Sequence, residues 1–72
     1  MYQNETVKEI KKMKKLKEKR IEKGLTQEQL GAAVGLSYRA IYQYETGLRE
    51  PRLKILRALA NVLGCKIDDI VD

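Results

Sequence analysis

Residues 26–45 read TQEQLGAAVGLSYRAIYQYE, a pattern that predicts two short helices joined by a tight turn. Thr26 and Gln29 match a capping box, in which each residue bonds a free backbone N–H at the start of a helix. Gly35 stands where a tight turn needs a positive φ, and Ser37 is a favourable N-cap for the second helix. We therefore expect the turn between the two helices to be only three or four residues long.

Small residues occupy the middle of the first of these helices, at Gly31–Ala33. Two helices can cross near a right angle at short range only where the residues at the contact are small. A capped helix, a turn that contains glycine and a second capped helix make up a helix-turn-helix unit. We therefore expect a helix-turn-helix unit here, with residues 38–46 as its second helix.

Apolar residues elsewhere in the chain recur with a helical period, and no strand pattern competes with it. One broad apolar face belongs to the first helix and consists of Val7, Ile10, Met13, Leu16 and Ile21. A second apolar stripe runs over residues 53–63, and Asp68 and Asp69 suit the start of a last short helix. The prediction is an all-α fold with five helices, at about residues 7–23, 27–34, 38–46, 52–63 and 67–71.

The helix predicted over residues 38–46 has two distinct faces. Its inward stripe is formed by Ala40, Ile41 and Tyr44. Its outward side chains are Tyr38, Arg39, Tyr42, Gln43 and Thr46, where an ordinary surface helix would carry Lys and Glu. Arginine can form a bidentate contact with guanine, glutamine with adenine, and an aromatic ring can lie against a thymine methyl group. The outward face is therefore a candidate for reading base edges in DNA.

Short motifs follow one another along residues 16–70, which make up about three quarters of the chain. They are Arg20, GLTQEQL at 24–30, GLS at 35–37, IYQYETG at 41–47, Pro51 and ALANVLG at 58–64. In this order and at these spacings they resemble the phage-repressor-type helix-turn-helix family, that of Cro, the lambdoid repressors and the XRE proteins. Gly31 departs from the family, which usually has Ala there, and glycine costs about 1 kcal/mol of helix propensity.

The resemblance implies a role for each residue that matches a functional position of the family. The expected base-reading residues are Tyr38, Arg39 and Gln43, with Tyr42 as a fourth. The expected contacts to the DNA backbone are Thr26, Gln27, Arg49 and Arg52. Gln27 is also expected to brace the start of the recognition helix.

The resemblance further implies an internal ion pair between Arg20 and Glu45, and this pair has an independent physical basis. Arg20 projects from the apolar side of the first helix. An unpaired buried guanidinium is costly, so a carboxylate partner is expected. Glu45 lies at the edge of the inward stripe of its helix and can supply that carboxylate.

The resemblance predicts a sequence-specific transcriptional regulator, a repressor, that inserts residues 38–46 into the major groove of a double-stranded DNA operator. The family implies a twofold homodimer on an inverted repeat, and the expected dimer surface is formed by Ile67, Ile70 and Val71. An alternative is an antitoxin or anti-regulator module whose main ligand is a partner protein. That partner would bind the face formed by Val7, Ile10 and Met13.

The positive charge of the chain is concentrated near its start. The net charge is +5, and residues 8–23 carry nine basic and three acidic side chains. We expect residues 1–14 to form a basic extension that continues into the first helix, and residues 15–72 to form the DNA-binding domain. The basic face is open to several interpretations: a solvated surface, contacts to flanking phosphates, a membrane-surface contact or a partner surface.

Composition argues against several other classes of protein. The lone Cys65 excludes an internal disulfide framework, and no His accompanies it to build a metal site. No apolar run approaches the roughly 18 residues that a membrane helix needs. No nucleophile–base pair or phosphate loop indicates catalysis, so we expect neither an enzyme nor a cofactor. The expected location is the cytoplasm.

Overall fold

The computed structural model describes residues 12–72, which form four α-helices. These are α1 (Lys14–Glu22), α2 (Gln27–Ala33), α3 (Tyr38–Thr46) and α4 (Leu53–Leu63). A short 3₁₀ helix, Ile67–Asp69, follows α4, and residues 12–72 contain no strand. The all-helical prediction is confirmed. The fifth predicted helix, 67–71, is only this 3₁₀ turn, because the chain leaves the helical conformation at Ile70 (φ −121°).

The first helix begins at Lys14, since Lys12 and Met13 are not helical and Met13 offers no side-chain cap. The carboxylate of Asp72 caps it instead. Its two oxygens accept hydrogen bonds from the backbone N–H groups of Lys14 (3.2 Å) and Lys15 (2.9 Å). The rest of the helix predicted from Val7 lies outside the described residues. The division into an extension and a domain therefore stays a prediction.

The start of α2 carries the predicted capping box. The hydroxyl of Thr26 accepts a hydrogen bond from the backbone N–H of Gln29 (3.0 Å), and the Gln29 side-chain oxygen accepts one from the Thr26 N–H (2.9 Å). Both bonds satisfy groups that a helix start leaves free. By contrast, Ser37 lies in the N-cap position of α3 but makes no side-chain cap bond.

Gly31 lies where the turn comes back against α2. The backbone N–H of Leu36 donates a 2.7 Å hydrogen bond to the Gly31 carbonyl. A Cβ atom at residue 31 would lie 2.7 Å from the Leu36 carbonyl oxygen and 2.9 Å from that of Ser37. Alanine therefore does not fit without a backbone shift. The close approach of the turn to α2 explains why this position carries glycine.

The core draws side chains from all four α-helices and from both ends of the described chain. It consists of Met13, Leu16, Leu30, Ala40, Ile41, Tyr44, Leu59, Ala60, Leu63 and Ile70. Ile21 was predicted to join it, and this is wrong, because its side chain is 58% exposed. At 100° per residue, Ile21 lies about 140° around the helix from Leu16, so it turns away from the core.

Two expectations about interaction surfaces are also corrected by burial. Ile70, predicted to pair two subunits, is fully buried in the core, and Ile67 packs partly against it. Only Val71 of that set is exposed. Met13, expected on a partner-binding face, is likewise in the core, whereas Val7 and Ile10 lie outside the described residues.

Candidate nucleic-acid interface

The two faces of α3 differ as the sequence predicts. Ala40, Ile41 and Tyr44 are buried on the inward face. On the outward face, Tyr38, Arg39 and Tyr42 are exposed and Gln43 is half-buried. Tyr44 is therefore a core residue, and the other two tyrosines of the helix are open to a ligand.

The four side chains predicted to read bases lie together. Tyr38, Arg39, Tyr42 and Gln43 line a shallow depression of about 360 Å³. The fifth residue of its lining is Leu48, from the loop after α3. The depression combines a guanidinium, an amide, two aromatic rings and one aliphatic side chain. These groups suit the donors, acceptors and methyl groups of base edges.

The structure brings Arg20 and Glu45 together. Arg20 Nε donates a 2.6 Å hydrogen bond to Glu45 Oε2, and Nη2 donates a 3.1 Å bond to Oε1. Nη1 donates to the carbonyl oxygen of Leu25 (2.9 Å). The two side chains are only 10% and 3% exposed. The pair thus has the forked geometry and extra bond that a buried ion pair needs, and it ties α3 to α1.

Gln27 joins this ion pair from the first position of α2. Its Nε2 donates a 3.0 Å hydrogen bond to Glu45 Oε1. Glu45 lies in the last turn of α3, so the Gln27 side chain contacts the end of this helix, whereas the resemblance implied a contact at its start. The amide nitrogen carries a second N–H, which can still donate to a phosphate.

The other residues that are expected to contact the DNA backbone lie at the ends of the helices around α3. Thr26 is exposed at the start of α2, and its hydroxyl accepts the capping bond but can still donate. Arg49 and Arg52 are exposed between α3 and α4. The backbone N–H of Arg49 donates to the Gln43 carbonyl (3.2 Å), which holds this loop against the end of α3.

Sequence reasoning missed Leu48 as a member of this surface. A single apolar residue in a short loop between two helices gives no periodic signal, because it belongs to no helical face. The one sequence feature next to it is Gly47, which ends α3 in the left-handed conformation (φ +83°). The packing of the loop against α3 decides where Leu48 lies.

Residues 12–72 show no rival site for metal or thiol chemistry. Within this range, no three potential metal ligands come together. Burial is the main cause that raises the pKa of the Cys65 thiol, and the charge of Asp69 adds to it. A raised pKa keeps the thiol protonated near neutral pH, which makes it a poor nucleophile and ligand. None of the helices in this range is long and apolar enough to cross a membrane.

Comparison with known proteins identifies the family. The helix-turn-helix family model matches residues 16–70. The chain is 38% identical over 58 residues to an HTH-type transcriptional regulatory protein of Aeropyrum pernix, covering 81% of this chain but only 18% of that protein. It is 41% identical over 56 residues to an HTH-type transcriptional regulator of Methanocaldococcus jannaschii, covering 78% of this chain and 85% of that protein.

The fold also matches a solved structure, the P22 c2 repressor protein in complex with a synthetic operator. The TM-score is 0.77 at 32% sequence identity, and the match covers 82% of this chain and 89% of the repressor chain. The chain belongs to the XRE-type helix-turn-helix family, whose members include transcriptional regulators.

Proposed function

We propose that this protein is a sequence-specific DNA-binding transcriptional regulator, a repressor, that reads the major groove with α3. The observation that carries the proposal is the depression on the outward face of this helix. Tyr38, Arg39, Tyr42 and Gln43 meet there and are not needed in the core. The relatives named as transcriptional regulators and the operator complex of the P22 c2 repressor support the same function.

Each of the four side chains has a chemically matched partner in the groove. Arg39 can form a bidentate contact with guanine, and Gln43 with adenine. Tyr38 and Tyr42 can place a ring edge on a thymine methyl group or donate to a phosphate. The exposed Arg49 and Arg52, together with Thr26 and Gln27, would hold the DNA backbone and set the position of α3.

We further propose that the protein acts as a homodimer on an inverted repeat. A single α3 reads only a few base pairs, and two copies related by a twofold axis would enter major grooves about 34 Å apart. The protein would act by binding and without catalysis or a cofactor. A regulator of this kind works where the DNA is, so we infer a cytoplasmic location.

The deciding experiment is selection of bound duplexes from a random pool, followed by sequencing. We expect an enriched motif with two inverted half-sites spaced by about one helical turn. An enriched motif without symmetry would contradict the dimer but keep the function. A pool that shows no enrichment over its starting composition would contradict sequence-specific binding altogether.

A further inference from the structure

Leu48 is the most exposed large apolar side chain of residues 12–72, at 68%. It lies in the loop between α3 and α4 and lines the same depression as Tyr38, Arg39, Tyr42 and Gln43. A polar side chain at this position would be well solvated, whereas leucine exposes apolar surface to water. An aliphatic side chain beside four residues suited to base contacts indicates an apolar partner on the ligand.

The backbone holds Leu48 in place from both sides. Before it, the N–H of Gly47 donates to the Tyr44 carbonyl (3.3 Å), and the Gly47 φ of +83° turns the chain out of the helix. After it, the N–H of Arg49 donates to the Gln43 carbonyl (3.2 Å). A side chain on a loop that is already ordered loses little conformational entropy on binding, so even a small apolar contact contributes to affinity.

The chemistry of the major groove limits which group of the DNA the Leu48 side chain can contact. Its base edges present hydrogen-bond donors and acceptors, and the one methyl group among them is the C5-methyl of thymine. Leucine can neither donate nor accept a hydrogen bond from its side chain, so it cannot use the polar groups. Leu48 and Gln43 line the same depression, and the Arg49 N–H is bonded to the Gln43 carbonyl, so Leu48 lies near the base pair that the Gln43 side chain would read.

We propose that Leu48 is a further specificity-determining residue, which packs against the C5-methyl group of an operator thymine at or next to the base pair contacted by Gln43. This inference rests on the proposed function, because it needs α3 in the major groove. It adds a residue outside the recognition helix to the set that reads sequence.

Uracil in place of thymine tests the contact directly, because it removes the methyl group and keeps the base-pairing edge. Each thymine of one half-site of the selected operator is replaced in turn, and the dissociation constant is measured. For the wild-type protein we expect a loss of about threefold to fivefold at the thymine that Leu48 contacts, the effect of one buried methyl group, in addition to any loss at thymines contacted by Tyr38 or Tyr42. 5-Bromouracil, whose bromine resembles a methyl group in size, should restore the affinity there.

The variant Leu48→Ala should bind the thymine and uracil duplexes equally at that position, while Leu48→Met should keep the preference for thymine. The matched control is Leu53→Ala, which truncates another exposed leucine (54%) outside the depression. It should keep the thymine preference whatever its effect on overall affinity. Because Leu48 is mostly exposed, Leu48→Ala should melt like the wild type.

Three results would overturn the inference. The first is that the wild type tolerates uracil at every thymine, and the second is that every preference for thymine persists in Leu48→Ala. The third is that Leu48→Ala weakens all duplexes by the same factor, which would point to a subunit contact. In each of these cases the operator motif still stands, so the proposed function survives. If selection enriches no motif, the function and the inference fail together.

Discussion

The two faces of α3 have opposite relations to the rest of the molecule. On the inward face, Ile41 and Tyr44 are buried, and Glu45 receives hydrogen bonds from two other helices. On the outward face, Arg39 and Tyr42 are exposed and are not part of the core. Under the proposed function, the inward face therefore sets the orientation of this helix and the outward face sets its specificity. Mutations on one face should change stability, and mutations on the other should change which DNA is bound.

The strongest test of this division is Glu45→Ala. It leaves Arg20 buried without its carboxylate, and breaking a buried ion pair costs about 3–5 kcal/mol. Because a domain this small has a core worth roughly 3–5 kcal/mol, much of the protein should unfold at 25 °C. Urea denaturation followed by circular dichroism measures the loss.

The control for that variant is Lys19→Ala, which removes the exposed 3.5 Å ion pair with Glu22. A surface pair contributes about 0–1 kcal/mol, so this variant should remain folded. Equal stability of Glu45→Ala and Lys19→Ala would show that the inward face does not depend on the buried pair.

Gly31→Ala is a second test of stability, and it should destabilise the fold although it replaces glycine with the best helix former. The gain in propensity is about 1 kcal/mol. The new Cβ would meet the Leu36 carbonyl at 2.7 Å, and overpacking against backbone costs about 1–3 kcal/mol. We expect a net destabilisation in thermal unfolding. A higher melting temperature than the wild type would mean that the turn can move away from α2.

Arg39→Ala should show the opposite behaviour, with stability unchanged within about 0.5 kcal/mol. Removal of a bidentate bond to a base should weaken operator binding by about 1–3 kcal/mol and relax specificity at one base pair. Binding to random duplex should be largely spared. The control is Arg57→Ala, which removes the same charge from an exposed position of α4 outside the depression.

That comparison separates base reading from charge. If Arg39→Ala and Arg57→Ala lose affinity equally on operator and random duplexes, then Arg39 contributes charge alone. The outward face would then have three proposed base-reading residues instead of four.

The smallest effect is expected for Arg49→Ala, at the rim of the outward face. A phosphate contact carries no sequence information, so binding should weaken by the same factor on all duplexes. The slope of log K against log salt should fall in magnitude by about 0.9 for each phosphate that the variant no longer neutralises. A change in the preferred sequence would instead place Arg49 among the residues that read bases.

Several features of the fold and the site could be predicted because their causes are local. The capping box at Thr26 and Gln29 and the turn at Gly35 each involve residues a few positions apart. The inward placement of Tyr44 follows from the helical period, and the bounds 38–46 of α3 agree with the prediction. The pairing of Arg20 with Glu45 could be predicted because a guanidinium on an apolar face needs a carboxylate partner.

Other features could not be predicted, because their causes lie far apart in the chain. Ile21 has the character of a core residue, but the pairing of Arg20 with the distant Glu45 fixes which side of α1 faces inward. Ile70 follows a short turn whose local pattern does not say whether it faces the core or the solvent.

Sequence alone predicted the capping box of α2, the bounds of α3 and its two faces, because hydrogen bonding and helical periodicity act within one or two turns. Tertiary packing alone places Asp72 at the start of α1, Gln27 beside Glu45 and Leu48 on the same surface as α3. These contacts depend on how the helices pack together. Local pattern therefore predicts the helix that we propose to read bases, and packing decides which residues outside α3 line the same depression.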